Sequence, residues 1–475
     1  MTNTASAPRP LNRSTFANSN RADASRGIRI VHVGLGAFSR AHQAWYTEVV
    51  DETGEWGIAA FTGRNATAAN ELAPQDGLFT LIERSAAGDS ATIVSSIVEA
   101  VDGANLNRFV ELLAAAPTAL VTLTVTEAGY RLTANGEPNR DDAAVNHDID
   151  WLSSALGDNL DESFDGGPVT TLGRLVLGLH VRRLAGAGPL AIVPCDNMPD
   201  NGPFVKSGIL ALARLANAET ASWIAGNVSF VSTSVDRITP KTTAADSETA
   251  AALTGFADRA PVVTEPFRDW VLSGDFPAGR PAWEKAGARF VDEIEPFERR
   301  KLWLLNGAHS LLAYAGRLRG HETVASAITD AVCLTWVNEY WDAACAHLGE
   351  DLDLDAYRAA LLDRFENARI EHRLAQIGME GVTKLRVRAA PIILAERAAG
   401  RTGQAPIRAI GSWAALVMSG ADLADAAADG IAAALASGGD VLTELVRLID
   451  PRLAEDASVL AGIRSVATES LPTHA

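Results

Sequence analysis

The chain has 475 residues, 47% of them hydrophobic and 21% charged, which excludes a disordered chain or a coiled coil. At about 150 residues per domain, it accommodates two large domains or three smaller ones. Its 41 basic and 59 acidic residues leave a net charge of −18, which repels phosphate backbones and argues against a general nucleic-acid or anionic-membrane binder.

Residues 1–26 are rich in Ser, Asn, Ala and Arg and carry one acid, Asp23. They lack the apolar stretch of a secretory signal and read as a disordered tail. Residues 28–36, IRIVHVGLG, form a Val/Ile run without polar alternation, as expected for a parallel strand buried on both faces. A helix follows, with Phe38, Ala41, Trp45 and Val49 on one face. Further strands are expected at 56–62, 75–84, 91–101, 120–126, 189–195 and 227–235, and helices at 108–116, 171–188 and 206–216. This alternation predicts a doubly wound α/β sheet. From about residue 290 helical patterns dominate, at 297–318, 324–348, 355–369, 391–400, 422–436 and 441–449. The stretches 403–411 and 434–440 read as short loops. The expected organisation is therefore a nucleotide-binding domain over 27–290 and a mostly helical domain over 291–475.

The run Gly34-Leu35-Gly36-Ala37-Phe38-Ser39 closes a strand and opens a helix, the setting of a dinucleotide fingerprint. Gly34 allows the tight turn, Gly36 lets backbone amides approach a pyrophosphate, and Ser39 replaces the third glycine. The second strand ends Thr62-Gly63-Arg64-Asn65, without the acid that binds an adenosine ribose. Arg64 could pair with a 2′-phosphate, so NADP is admissible beside NAD. Strand-end loops at Thr124–Tyr130, which include Thr126 and Glu127, at Pro194–Met198 and at Val235–Pro240 belong to the ligand crevice of such a sheet.

The stretch Glu298–Leu312 is apolar almost all round. At about 100° per residue, with Lys301 at zero, Glu298 falls at about 60°, His309 at about 80° and Asn306 at about 140°. Four polar groups on one arc of a buried helix point to a lysine base, since burial lowers an amine's pKa. The three cysteines, Cys195, Cys333 and Cys345, are too few for a disulfide framework and no CxxC occurs, as expected in a reducing cytoplasm. No apolar run approaches the roughly 18 residues of a membrane span. The nine histidines form no HxH or HExxH pair, so no metal is expected.

Together these pieces resemble the mannitol dehydrogenase family, the polyol-specific long-chain dehydrogenases. The matching stretches are Gly34–Gln43, Gln75–Leu78, Thr124–Tyr130, Cys195–Asn197, Val235–Ile238, Glu265–Phe267 and Lys301–Ser310. The resemblance implies a Rossmann-like domain followed by a helical one, no metal, and hydride transfer between NAD(P) and the secondary alcohol of a linear polyol or sugar acid. It makes Lys301 the general base, with Asn306, Asn197 and His309 around the reacting oxygen and Glu298 linking the lysine to water. Asp236 and Arg237 would meet the substrate. In the loop of Gln376 to Lys384, which binds distal hydroxyls, Gln376 and Met379 stand where mannitol-specific members carry Arg and His. Mannitol/fructose is the lead substrate pair and mannonate/fructuronate the close alternative. A 6-phosphogluconate or β-hydroxyacid type of dehydrogenase would need a phosphate or carboxylate cluster, for which only Arg386 and Arg388 stand near Lys384. A nicotinamide-sensing regulator would need a basic face. The expected partner is a small sugar or polyol, with a monomer or small homo-oligomer as the assembly.

Overall fold

The computed structural model describes residues 7–16, 27–157 and 164–470. The chain divides into two compact units, Met1–Ile294 and Glu295–Ala475. In the first, six parallel strands are numbered β1 Ile28–Val33, β2 Gly57–Phe61, β3 Ile97–Val101, β4 Leu120–Leu123, β5 Leu190–Pro194 and β6 Val228–Phe230. They lie in the order β3-β2-β1-β4-β5-β6. This is the strand order of a Rossmann sheet, which reverses direction of growth between β1 and β4. The absence of polar alternation in β1 has the expected cause. Val31 and Val33 face a core formed with Phe109, Val176 and Ile209 from covering helices. Ile30 faces the opposite core, shared with Ala41, Ala44 and Trp45 of the helix that follows β1.

Two smaller sheets adjoin this framework. Phe79–Ser85 pairs antiparallel with Gly88–Val94, and Ser232–Asp236 pairs antiparallel with Asp269–Ser273. The single strand expected at 91–101 is therefore two strands in two sheets. The break falls at Ser95 and Ser96, which are held from outside: Glu48 accepts from the Ser95 amide at 2.9 Å, and Ser96 Oγ donates to the Ala44 carbonyl at 2.7 Å. The expected strand 227–235 divides in the same way between β6 and Ser232–Asp236.

The disordered tail expected over 1–26 is corrected for its described part, residues 7–16; the rest lies outside the described residues. Arg9–Pro10 pairs in parallel with Phe256–Ala257, Leu11 is only 2% exposed, and Arg13 Nη2 donates to the Ser95 and Ile97 carbonyls. A buried leucine and two backbone carbonyls fix a segment that composition alone made look unstructured.

The second unit is helical throughout. The expected loop at 403–411 is corrected: Gln404–Met418 is one helix, buried over most of its length. Its glycine and proline are not breakers. Gly403, at φ 68°, precedes the helix, and Pro406 sits in the first turn, where no amide is needed. Gly411 lets the Ala457–Ser470 helix approach, because a Cβ there would lie 2.7 Å from Val466. The segment of Gln376 and Lys384 is likewise helical, as Leu374–Ile377 and Gly381–Arg388. No helix among the described residues is long and apolar enough to cross a membrane.

Candidate active site

The turn after β1 is shaped by its glycines. Gly34 has φ +108°, and a Cβ there would run into the Thr124 carbonyl. Thr124 Oγ1 donates to the Gly34 carbonyl at 2.8 Å. His32 stands beneath, with Nε2 3.2 Å from Thr124 Oγ1 and Nδ1 2.8 Å from Thr122 Oγ1. Because Thr124 spends its proton on Gly34, His32 Nε2 carries the donor hydrogen and Nδ1 accepts from Thr122. Burial lowers the His32 pKa to about 4, so the ring is neutral at pH 7. Ser39 closes the turn by accepting from the Gly36 amide at 3.1 Å. A Cβ on Gly36 would meet nothing nearer than the Gly34 carbonyl at 3.5 Å. Protein packing therefore does not demand glycine at 36; the open space before the helix start suits a pyrophosphate.

The helix from Ala37 to Val50 contains a π-helical turn at Arg40–Ala44. Leu35 is buried, while Ala37 and Phe38 are partly exposed at its start. Arg40 Nε returns to the Gly36 carbonyl at 3.0 Å, and burial lowers its pKa to about 10. Arg64 is exposed just beyond β2, and Thr126 and Glu127 are exposed just beyond β4. Past β5, Asp196 accepts from Tyr130 Oη at 2.5 Å and from Asn201 Nδ2 at 3.1 Å. Burial raises its pKa despite these donors. Asn197 beside it is exposed, and Asp236 is partly buried at a strand end. The expectation for Arg237 is corrected. Its side chain is fully buried and donates to the Glu265 and Ala41 carbonyls and to Glu83 Oε1, so its guanidinium is committed to the fold.

In the second unit the helix over 295–316 alternates its winding. Glu295–Arg300 is α, Lys301–Asn306 is π, Gly307–Leu311 is α, and Leu312–Gly316 is π. The uniform 100° wheel is thereby corrected. Lys301 and Asn306 are five apart, the i→i+5 hydrogen-bond spacing, so the π turn brings closer in angle two residues that an α-helix would separate by about 140°. Lys301, Glu298 and Asn306 are partly exposed rather than buried. Of the four polar groups only His309 is buried, and its Nε2 has no hydrogen-bond partner. The ring packs against Phe365, centroids 4.9 Å apart, and edge-on to His372 at 4.8 Å. Burial holds its pKa well below the ordinary value, and the charges of His372, Arg364, Arg388 and Lys384 add to the effect.

Three features around this turn were not singled out from the sequence. Trp341 Nε1 donates to the Leu304 carbonyl at 2.8 Å. Arg388 Nη1 donates to the Asn306 carbonyl at 3.1 Å and to Ser310 Oγ at 3.0 Å. Gly307 lies against Tyr340: a Cβ there would come 2.5 Å from its hydroxyl, which donates to the Arg388 carbonyl at 2.8 Å. A glycine inside an apolar helix was the one visible signal. Lys384 is partly buried and donates to the Ile377 carbonyl at 2.9 Å. Burial and Arg388 lower its pKa, against Glu380 and Asp425. Gln376 and Met379 are exposed. One group with metal-ligand composition occurs among the described residues, His321, Asp330 and Cys333. Arg319 already supplies its cation, with Nε 2.6 Å from Asp330 Oδ2.

Comparison with known proteins agrees with this layout. The mannitol dehydrogenase Rossmann domain matches residues 28–285, and the mannitol dehydrogenase C-terminal domain matches residues 293–450. The chain is 36% identical over 372 residues to D-mannonate oxidoreductase of Escherichia coli, covering 75% of this chain and 73% of that one. It is also 36% identical over 370 residues to mannitol 2-dehydrogenase of Aspergillus terreus, covering 75% and 71%. Among solved structures, the Pseudomonas fluorescens mannitol 2-dehydrogenase ternary complex with NAD and D-mannitol superposes with a TM-score of 0.74 at 30% identity, covering 94% and 92% of the two chains. The chain belongs to the mannitol dehydrogenase family and is a dehydrogenase.

Proposed function

We propose that this dehydrogenase interconverts a linear sugar acid and its keto acid, with mannonate and fructuronate as the best-fitting pair, using a nicotinamide dinucleotide. The observation that carries the choice is the sign of the charge around His309. Three basic side chains, Arg364, Arg388 and Lys384, act on this buried ring. Lys384 forms no salt bridge among the described residues and spends one of its three protons on Ile377. A terminal carboxylate can pair directly with the Lys384 amine, beside the partial compensation that Glu380 and Asp425 provide, whereas a neutral polyol cannot. The similarity to D-mannonate oxidoreductase supports the same reading. Mannitol and fructose form the second reading, favoured by the similarity to the mannitol 2-dehydrogenases.

The residues divide the chemistry as follows. The residues Gly34–Phe38 would hold the dinucleotide, which would supply a hydride acceptor for the alcohol carbon. The Lys301 amine takes the hydroxyl proton, and Glu298, one turn earlier and partly exposed, passes it to water. The Asn306 amide, on the same π turn as Lys301, donates to the developing alkoxide. His309 Nε2, buried and without a hydrogen-bond partner among the described residues, is the proposed contact for a substrate hydroxyl. NAD is the proposed cofactor, as in the mannitol 2-dehydrogenase complex.

The deciding experiment compares kcat/KM for fructuronate and fructose, each with NADH, in the wild type and in Lys384→Ala. Fructuronate should be preferred. Lys384→Ala should cost it roughly 10- to 100-fold, the scale of a charge-assisted hydrogen bond, while fructose changes little. An equal proportional loss for both substrates would contradict the carboxylate assignment.

A further inference from the structure

A π turn does not hold itself. Its extra residue takes carbonyls out of the regular i→i+4 ladder, and side-chain donors can add to the backbone amides that still reach them. In the turn Lys301–Asn306 two carbonyls receive side-chain donors from other helices. Leu304 is served by Trp341 and Asn306 by Arg388. The two donors differ in kind. Trp341 is a neutral, fully buried indole, whereas Arg388 brings a charge into an environment with little to balance it. Burial lowers its pKa, and the groups that act against this are the tyrosines Tyr314 and Tyr340, not a carboxylate. Its Nε is buried without a partner. A guanidinium placed this way is costly unless what it holds matters.

Arg388 is itself fixed in place. Tyr340 donates to its backbone carbonyl, and the same tyrosine ring lies against Gly307, the residue that follows the turn. The arginine thus grips the C-terminal end of the turn at Asn306 and reaches one turn further to Ser310. We propose that Arg388 is a positioning residue for the reaction: its grip on the Asn306 carbonyl keeps the turn in the π register that holds Asn306 and Lys301 closer in angle than an α-helix would. Without it the segment relaxes toward i→i+4 bonding, and Asn306 swings about 140° away from Lys301. The proposal rests on the reading of Lys301 and Asn306 as the reacting groups.

The test uses the full chain with steady-state kinetics, a nucleotide titration and a thermal melt for Arg388→Met, Arg388→Lys and Lys301→Ala. Misplacing a catalytic pair by about an ångström costs on the order of 100-fold. Arg388→Met should therefore lower kcat by roughly 10- to 100-fold with fructuronate and fructose alike, while both KM values and the nucleotide Kd stay within about twofold. Arg388→Lys, which retains a charged donor within reach of the carbonyl, should recover most of the lost kcat. If Arg388→Met does not fold, the lysine variant and Arg388→Gln carry the same comparison. A raised KM at unchanged kcat would make Arg388 a substrate contact and overturn the proposal. Wild-type kcat in Arg388→Met, beside an inactive Lys301→Ala, would overturn it alone. Wild-type kcat in Lys301→Ala would overturn it together with the reading on which it rests.

Discussion

At the scale of single residues, the partly exposed amine of Lys301 sets the strongest expectation. Lys301 shares a π turn with Asn306 and follows Glu298 by three residues, the groups proposed as oxyanion donor and route to water. Lys301→Ala should lower kcat for alcohol oxidation by roughly 10²–10⁴-fold, the span of a lost general base. Nucleotide affinity should hold, and the pH dependence of oxidation should flatten. Unchanged kcat and an unchanged profile would assign the base elsewhere. Arg64 supports a second expectation. It is exposed at the end of β2, where the chain offers no carboxylate to a ribose. Arg64→Ala should weaken NADPH binding about tenfold or more and leave NADH binding nearly unchanged, as read by nucleotide fluorescence titration. Equal effects would show that it does not read a 2′-phosphate. Residue types at motif spacing were legible from the sequence for this part of the site. Burial was not. Arg237 stands in a strand-end loop as a substrate residue would, yet its guanidinium is tied to Glu83, Ala41 and Glu265, all distant in sequence. Only the assembled fold shows that such an arginine is fully buried and held by three partners.

At the scale of elements, the turn after β1 separates two uses of glycine. Gly34 is required by the fold, through its left-handed φ and the Thr124 carbonyl. Gly36 is not, since a Cβ there would make only an ordinary contact. Gly34→Ala should destabilise the chain by several kcal/mol, as backbone strain adds to a clash. Gly36→Ala should melt near the wild-type temperature and yet lose at least about tenfold in nucleotide affinity, because its methyl group fills the space a pyrophosphate needs. If Gly36→Ala binds nucleotide normally, the phosphate lies elsewhere. The doubly wound α/β character of the first unit was readable from apolar runs alternating with helical periodicity. What escaped has a common cause: local rules were read without the partner that overrides them. The break at Ser95 and Ser96 depends on Glu48 and Ala44. The helix Gln404–Met418 keeps its Gly and Pro because one packs on Val466 and the other sits in the first turn. The π turn meets donors on two other helices, and a wheel drawn at constant angle cannot show it.

At the scale of the molecule, each unit buries a neutral imidazole, and this ties stability to pH. His32 in the first unit has its pKa lowered by burial to about 4, and His309 in the second is held well below the ordinary value for the same reason. In the unfolded chain both titrate near 6.5. Above that pH neither state carries the proton, and the stability associated with the neutral rings is fully present. As pH falls, the unfolded chain takes up protons that the folded chain refuses, so stability declines from about pH 6.5 and is lost as pH passes through the folded values. For His32 a displacement of about 2.5 units corresponds to about 3 kcal/mol at full expression, of which about 2 kcal/mol is already lost at pH 5. The measurement is a urea titration at pH 7 and pH 5, kept above pH 4.5 so that carboxylate protonation contributes little. Wild type should lose stability over that interval. His32→Gln, which retains hydrogen-bonding atoms for Thr122 and Thr124 but cannot titrate, should start lower at pH 7 and lose clearly less on acidification. If the two chains lose stability in parallel, the acid sensitivity of the first unit does not come from His32, and the ring beneath the nucleotide turn takes up its proton as readily folded as unfolded.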